Sequence, residues 1–457
     1  METTLTVIAL VAYAAGMFWL TSTFVKKRQS ATYFNVADRK TGTIQAGLSI
    51  AATWIWAPAL FVASTQAYNN GWVGLFWFLV PNVITLLFII PFAKKLRERY
   101  PNGFTLSGFM GKTYNRTVRS LYQFELGALS TLSIAVQLLA GAFVVTIISG
   151  IPFWVATIIL LGIVYLYAIR HGIKSSLFTD AIQMVVILGA LAVFVPYALA
   201  LKGWDSIIAG ANGVNIIGGL ATPEGVNVAL TFGIISAIGL MAGPIGDQAF
   251  WQRVFATDKT KIAKSFGFAA FAFALVPLLM SVFGFIAAGT DAEVNNPGYV
   301  NLEIIQALFP AWVVVPFMFL LLSGLLSTID SQMLALSSLS TDFTRDIRYH
   351  RATMIIGSLI ALGIANIPGN SVLFMFLVYG TLRAATFAIT VLTLAGVKLK
   401  SAAVTTGLLT SMVGGFPVFL YGNLNGIDEL RLWGSIATVT ASGLIAYVGT
   451  KLVKEKV

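Results

Sequence analysis

Residues 311–338, AWVVVPFMFLLLSGLLSTIDSQMLALSS, form an apolar run that is longer than a bilayer requires and has four polar side chains inside it. Ser323, Ser327, Asp330 and Ser331 follow one another at steps of four, three and one, so a helix places them on one face. A hydroxyl or carboxylate buried in hydrocarbon costs free energy unless something binds it. The stretch therefore predicts a membrane helix that supplies half of an ion site.

The composition places the rest of the chain in the same solvent. Of 457 residues, 57% are hydrophobic and only 10% are charged, whereas a soluble domain carries roughly 25% charged residues. So few charges cannot cover a soluble globule of this size. We therefore expect an all-α polytopic protein that is embedded in the lipid bilayer of the cell (inner) membrane.

Apolar runs of spanning length predict about thirteen transmembrane helices. They lie near Thr4–Phe24, Thr43–Thr65, Trp72–Phe92, Leu121–Ile148, Pro152–Ile169, Leu177–Leu199, Val228–Ala249, Ala263–Ala288, Ala311–Ser338, Met354–Ile367, Val372–Ala395, Ala402–Leu420 and Leu432–Val448.

The placement of Lys and Arg supports this count and predicts an orientation. With the N-terminus outside and the C-terminus cytoplasmic, all but three of the 29 Lys and Arg residues fall on the cytoplasmic side, including the run Lys26–Arg28 and Arg253. The exceptions are Lys202, Arg431 and Arg383, and Arg383 lies inside the eleventh span. Orientation thus explains the net charge of +11 without a nucleic-acid partner, and no obligatory protein partner is evident.

Several classes of chemistry lack their residues here. The chain has no Cys, and its two His residues, His171 and His350, fall in predicted loops, which excludes thiol catalysis and argues against zinc or heme sites. No Gly-rich phosphate-binding motif is present. We expect no catalytic residues and no enzymatic activity, which leaves movement of a solute across the membrane.

Two spans carry the breaks that secondary transporters use to bind solutes at mid-membrane. The second span reads GLSIAATWIWAPALF, with Pro58 near its centre, and the seventh reads AIGLMAGPIGDQAF, with Gly243 and Pro244 in its middle. They are five spans apart and run in opposite directions. This is the relation expected of two halves in an inverted repeat.

Four segments together resemble the sodium/solute symporter family, and most of all its urea and polyamine branch. They are AATWIWAPALF at 51–61, HGIKSSLFTDAIQ at 171–183, DQAFWQR at 247–253 and SGLLSTIDSQMLALSSLSTDF at 323–343. The resemblance implies the inverted five-plus-five helix fold first seen in the leucine transporter. It divides the chain into an extra helix and loop at 1–42, repeats at 43–200 and 201–397, and two peripheral helices at 398–457.

By this resemblance, a sodium ion is the coupling ion and lies between the second and ninth spans. Its ligands would be three carbonyls and a hydroxyl, from Ala51, Trp54, Leu320 and Ser323. Oxygen ligands suit a hard cation. The family usually has a second hydroxyl where this chain has Gly324, so either Gly324 leaves room for water or Ser327 compensates.

Asp180 allows a second sodium site. It matches an acid that holds a further sodium in some members, together with serines of the ninth span such as Ser327. The alternative is that Asp180 only caps its helix, because an acid near a helix N-terminus is favourable.

A small polar organic solute is expected between the two breaks, enclosed by hydrogen-bonding groups and flat aromatic walls. The candidate residues are Thr53, Trp56, Gln66, Trp77, Gln248, Trp251 and Arg383. The Arg383 guanidinium needs a partner at mid-membrane. We expect an internal ion pair with Asp330, Glu125 or Asp247, and the alternative is a carboxylate on the solute.

The sequence as a whole predicts sodium-coupled symport by alternating access, with urea or a related amide as cargo. If Arg383 binds the solute, the cargo is instead an amino acid or carboxylate. A passive solute channel and a membrane solute sensor are the alternatives of a different class, but interrupted helices favour an enclosed site over an open pore.

Overall fold

A computed structural model describes residues 2–24, 30–290 and 292–452, so the basic run Lys26–Arg28 lies outside the described residues. Within those ranges the chain is helical, apart from loops and one isolated bridge between Thr41 and Thr257. The helices are α1 Glu2–Phe24, α2 Ala31–Val36, α3 Thr43–Trp54, α4 Ala57–Leu60, α5 Val62–Arg99, α6 Leu106–Thr113, α7 Arg116–Ser149, α8 Phe153–His171, α9 Ile173–Ala209, α10 Pro223–Val228, α11 Ile234–Met241, α12 Gln248–Ala256, α13 Ile262–Ala288, α14 Val300–Leu308, α15 Ala311–Leu339, α16 Ile347–Ala365, α17 Val372–Ala395, α18 Ser401–Thr410, α19 Phe416–Asn425 and α20 Asp428–Leu452.

The predicted all-α membrane architecture is confirmed. Eleven helical segments in the described ranges are long and apolar enough to cross a bilayer. The other two predicted spans, the second and the tenth, correspond to the interrupted α3–α4 segment and to α16. The total of thirteen, the orientation and the division into repeats stay predictions.

Both predicted breaks are present. In the second span α3 ends at Trp54, and Ile55 and Trp56 leave the helix before α4 begins at Ala57. In the seventh span α11 ends at Met241, and residues 242–247 form turns before α12 begins at Gln248. Proline fits at the first turn of α4, where no backbone N–H is needed.

The buried core surrounds these breaks. α13 packs along both α3 and α5, while α15 packs against α7 and α9. The last three helices, α18 to α20, pack mainly against one another and α17. Apolar side chains such as Trp19, Trp154 and Val413 are exposed on the outer surface, which is the surface that lipid would cover.

Close packing of α13 on α5 provides a test of the fold. A Cβ on Gly284 would lie 2.2 Å from the Ser64 carbonyl oxygen, whereas a Cβ on Gly267 of the same helix meets nothing within 4 Å. We expect Gly284→Val to force the helices apart and to destabilise the protein by about 1–3 kcal/mol. Gly267→Val is the matched control, and equal melting temperatures of the two variants in detergent would contradict this packing.

Candidate sodium and solute site

The interruption of the second span frees a backbone oxygen. The Trp54 carbonyl would normally accept a hydrogen bond from the N–H of residue 58, but Pro58 has no N–H. The Ala51 carbonyl still accepts from Ile55 N at 2.9 Å. The Trp54 oxygen therefore ends the helix without its intrahelical donor, which makes it available to a cation.

Helix α15 lies directly against this interruption. The Ser327 hydroxyl donates to the Ala52 carbonyl at 3.2 Å, and the Thr328 hydroxyl is 3.4 Å from the Ile55 carbonyl. A Cβ on Gly324 would lie 3.0 Å from Leu60 and 3.2 Å from Ile55. The missing side chain at position 324 thus lets two helices pack closely, and the way in which an ion would be coordinated there stays a prediction.

The Ser323 hydroxyl is the unsatisfied group of this contact. Its side chain is fully buried, and its Oγ has no hydrogen-bond partner among the described residues. Buried hydroxyls are nearly always satisfied by protein, water or a ligand. Ser323 therefore fits a cation ligand, as does the Trp54 carbonyl, while the roles of Ala51, Leu320 and Ser327 at the ion stay predictions.

Asp180 forms a buried ion pair that the sequence analysis did not anticipate. Its Oδ2 accepts from Arg253 Nη2 at 2.9 Å and from the Ser49 hydroxyl at 2.5 Å. Arg253 is 1% exposed, so its expected place in a cytoplasmic loop is wrong. The Ser327 hydroxyl donates to backbone carbonyls and not to Asp180. Of the two Asp180 oxygens, Oδ1 is the one without a partner among the described residues.

Arg383 does not form the expected internal ion pair. Asp330 accepts from the hydroxyls of Ser176 and Thr179, and Glu125 accepts from Thr386. Asp247 accepts from other groups, so among the described residues no carboxylate lies within salt-bridge distance of Arg383. The internal-pair interpretation is therefore wrong for this conformation.

The Arg383 guanidinium lies instead in an aromatic enclosure. Its centre is 4.7 Å from the ring of Tyr379, 5.3 Å from that of Trp54 and 5.6 Å from that of Trp56. Its Nε donates to the Gly239 carbonyl at 2.6 Å. Cation–π contact balances part of the cost of burying the charge, but Nη1 and Nη2 have no acceptor in the described ranges.

Trp56 adds a further unsatisfied donor to the same enclosure. Its Nε1 is buried without a described acceptor, and its ring contacts Trp54, Phe376 and Tyr379 at centroid distances of 6.1, 5.5 and 5.1 Å. Three buried N–H-bearing nitrogens, from Trp56 and Arg383, thus lack acceptors. A ligand that completes them must present acceptor oxygens.

The carboxylate of Asp247 balances the charge of this enclosure, although it does not contact Arg383 directly. Asp247 Oδ2 accepts from the Tyr379 hydroxyl at 2.6 Å and from Gln332 Nε2 at 2.8 Å, while Oδ1 accepts from Ala249 N. Tyr379 therefore links the guanidinium to the acid. With one positive and one negative group, the enclosure favours a neutral or zwitterionic ligand over a simple anion.

The other predicted solute residues have different surroundings. Thr53 donates to Ser49 O, the Gln66 side chain bonds Asn70, and Trp251 Nε1 donates to Ile245 O. Gln248 uses its amide on Phe104, Leu106 and Ser338. Trp77 packs against Gly233. Of the predicted set, the structure places Arg383 over the ring of Trp56, and the solute role of each residue stays a prediction.

The fold agrees with a comparison of the whole sequence. A family model described as the sodium:solute symporter family matches residues 33–415. The chain belongs to the sodium:solute symporter family. This confirms the resemblance drawn from the four sequence segments, and the relatives and structural neighbours of the chain are transporters.

Relatives of this symporter include urea transporters. It is 23% identical to the probable urea active transporter 1 of Schizosaccharomyces pombe, over 72% of the chain and 53% of the relative. It is 22% identical to the urea-proton symporter DUR3 of Oryza sativa subsp. japonica, over 95% of the chain and 68% of that protein. The chain therefore spans about half the length of the first of these relatives.

A solved structure supports the fold of the symporter. A Na+-coupled sialic acid symporter in a substrate-bound outward-open state superposes with a TM-score of 0.80, covering 98% of this chain and 97% of that one at 14% identity. At such identity the likeness concerns the fold alone. The predicted leucine-transporter type of architecture is confirmed.

Residues of the symporter that the sequence analysis missed include Arg253, Tyr379 and Ser49. A helix-ending arginine in DQAFWQR looks like an orientation signal, and its partner Asp180 lies 73 residues earlier. The available signal was that Arg253 follows a broken span by only a few residues. An arginine at such a position can stay buried inside the helix bundle.

The buried pair gives a prediction for the stability of the symporter. Arg253→Met should leave the Asp180 charge buried without compensation and destabilise the protein by about 3–5 kcal/mol. The double variant Arg253→Met and Asp180→Asn removes both charges and should recover most of the loss. Melting temperatures in detergent measure both, and equal loss in the single and double variants would contradict the pairing.

Proposed function

We propose that this symporter imports a small neutral solute that carries a carbonyl group, with urea as the leading candidate, in company with sodium. The observation that carries the proposal is the set of buried groups without partners around the break in the second span. Among the described residues, Ser323 Oγ on its α15 side has no partner, and Trp56 Nε1 with Arg383 Nη1 and Nη2 on its α17 side have no acceptor. A cation and a carbonyl oxygen are the ligands that complete them.

Sodium fits the first set of groups better than a proton does. The Trp54 carbonyl and the Ser323 hydroxyl are neutral oxygens that do not titrate near neutral pH, and a hard cation binds such oxygens. The name of the rice relative includes proton symport and that of the structural neighbour includes Na+ coupling. The chemistry at Ser323 favours sodium for this chain.

Urea fits the second set of groups. Its carbonyl oxygen accepts two hydrogen bonds, which Arg383 Nη1 or Nη2 and Trp56 Nε1 would donate. Its flat shape suits a slot lined by Trp54, Trp56 and Tyr379. It carries no charge, which agrees with the balance between Arg383 and Asp247. The urea transporters among the relatives support the same choice.

An amino acid is the second candidate, because an unpaired guanidinium also binds carboxylates bidentately. Its carboxylate would contact Arg383 while its ammonium group would be balanced by Asp247. A simple carboxylate leaves an excess negative charge in the enclosure and is less favourable. Solute competition at the same site distinguishes these cargoes.

Coupling would arise from the shared position of the two ligands. A cation between Trp54 and Ser323 joins the interrupted span to α15, and the solute joins the same interruption to α17. Each ligand shifts the balance of outward and inward states only by its differential affinity for them. Stabilisation of the same arrangement by both ligands makes transport of one depend on the other.

The sodium part of the proposal predicts the effect of removing one hydroxyl. Ser323→Ala should raise the half-saturating sodium concentration for uptake by about tenfold, because a direct ligand is lost. Uptake of labelled urea into proteoliposomes, over a series of sodium concentrations at fixed pH, measures it. Ser281→Ala is the control, since that buried hydroxyl bonds only its own helix at Leu278. An unchanged sodium dependence would remove Ser323 from the site.

The solute part predicts the effect of the guanidinium. Arg383→Gln should raise the half-saturating urea concentration at least tenfold, because two unsatisfied donors and the positive charge disappear. A labelled panel of urea, amino acids and carboxylates, tested with and without an inward sodium gradient, identifies the cargo. Sodium-driven uptake of urea at wild-type affinity by Arg383→Gln would contradict the role of Arg383.

A further inference from the structure

A group of unsatisfied oxygens extends from Ser323 toward α9. Besides Ser323 Oγ, both Asp180 Oδ1 and Gln183 Oε1 are buried without a hydrogen-bond donor in the part of the chain that the structure describes. Asp180 and Gln183 are one turn apart on α9, and α9 packs against α15. Exposure is at most 1% for each of the three side chains.

The side chain of Tyr13 on α1 reaches this group of oxygens through Gln183. Tyr13 belongs to α1, most of whose surface is exposed, and its ring stacks on Phe319 of α15 at a centroid distance of 5.6 Å. Its hydroxyl accepts from Gln183 Nε2 at 2.8 Å.

The Tyr13 contact determines which end of the Gln183 amide faces the oxygens. Because Nε2 is held by the Tyr13 hydroxyl, Oε1 is the end of the amide that has no donor among the described residues. Acceptor oxygens gathered in a buried place with one carboxylate attract a cation and repel one another when it is absent. Arg253 and Ser49 already satisfy Asp180 Oδ2, so Oδ1 is the oxygen that stays open.

We propose that Tyr13 is a positioning residue of the cation site: it orients Gln183 so that Oε1 joins Ser323 Oγ and Asp180 Oδ1 around a monovalent cation. The inference rests on the proposed sodium coupling and extends its ligand set to α9. In this proposal α1 contributes to ion binding as well as to lipid contact, because its Tyr13 sets the affinity of the site for the coupling ion.

Removing single groups tests the inference. Tyr13→Phe keeps the ring on Phe319 and removes only the hydroxyl, and we expect the half-saturating sodium concentration to rise about tenfold. Gln183→Leu should raise it at least as much. The double variant should match Gln183→Leu alone, because the hydroxyl acts through the amide. Thr21→Val is the control, since this buried hydroxyl on α1 bonds only Met17 and Phe18 of its own helix.

Two readouts separate this role from a merely structural one. Binding of radioactive sodium to purified protein in detergent reports the site without transport, and urea uptake at saturating sodium reports the solute site. We expect weaker sodium binding with an unchanged half-saturating urea concentration in Tyr13→Phe. Wild-type sodium binding by Tyr13→Phe, or independent effects of Tyr13→Phe and Gln183→Leu that multiply, would overturn the inference. Sodium-independent uptake by the wild type would instead overturn the proposed function itself.

Discussion

The contact between α15 and the interrupted second span is the feature on which the rest of the structure depends. Pro58 keeps the second span interrupted inside the buried core, where an unsatisfied carbonyl is costly. Helix α15 packs against this break, and the hydroxyls of Ser327 and Thr328 donate to the carbonyls of Ala52 and Ile55. The Ser323 oxygen and the Trp54 carbonyl remain outside this pairing. In our proposal, stability and ion binding thus depend on the same few groups.

The aromatic enclosure between this break and α17 carries the opposite kind of group. Trp56 of the break and Arg383 of α17 present buried nitrogens that have no acceptor among the described residues, and Asp247 reaches the enclosure through Tyr379. A protein that only required stability would pair Arg383 directly with Asp247. Keeping them one aromatic ring apart leaves the guanidinium available to a ligand while the total charge stays balanced. Free oxygens on the α15 side of the break and free nitrogens on its α17 side are what a transporter of a cation and a carbonyl solute needs.

Much of this could be predicted from the sequence, because the strongest signals are local. Glycine and proline in the second and seventh spans marked both breaks, and the polar stripe from Ser323 to Ser331 marked α15 as the helix beside them. The membrane environment followed from the scarcity of charge. These features depend on neighbours along the chain, which the sequence records directly.

What failed were pairings between distant residues. Arg383 was expected to contact an acid, but its environment is set by rings on α3, on α17 and in the break between α3 and α4. Arg253 looked like a loop residue, but α12 is short enough to keep its end inside the protein. Gln183 and Tyr13 are 170 residues apart. Such contacts are decided by helix packing angles and rotamers, which no spacing rule contains.

The most direct test of the account is a cryo-microscopy map of the symporter in lipid nanodiscs, recorded in sodium and in a large organic cation that replaces sodium. We predict density between the Trp54 carbonyl, the Ser323 hydroxyl and Asp180 that is present only in sodium. If the sodium map instead has Ser323 bonded to its own helix, with apolar side chains filling the space beside Trp54, the account is contradicted.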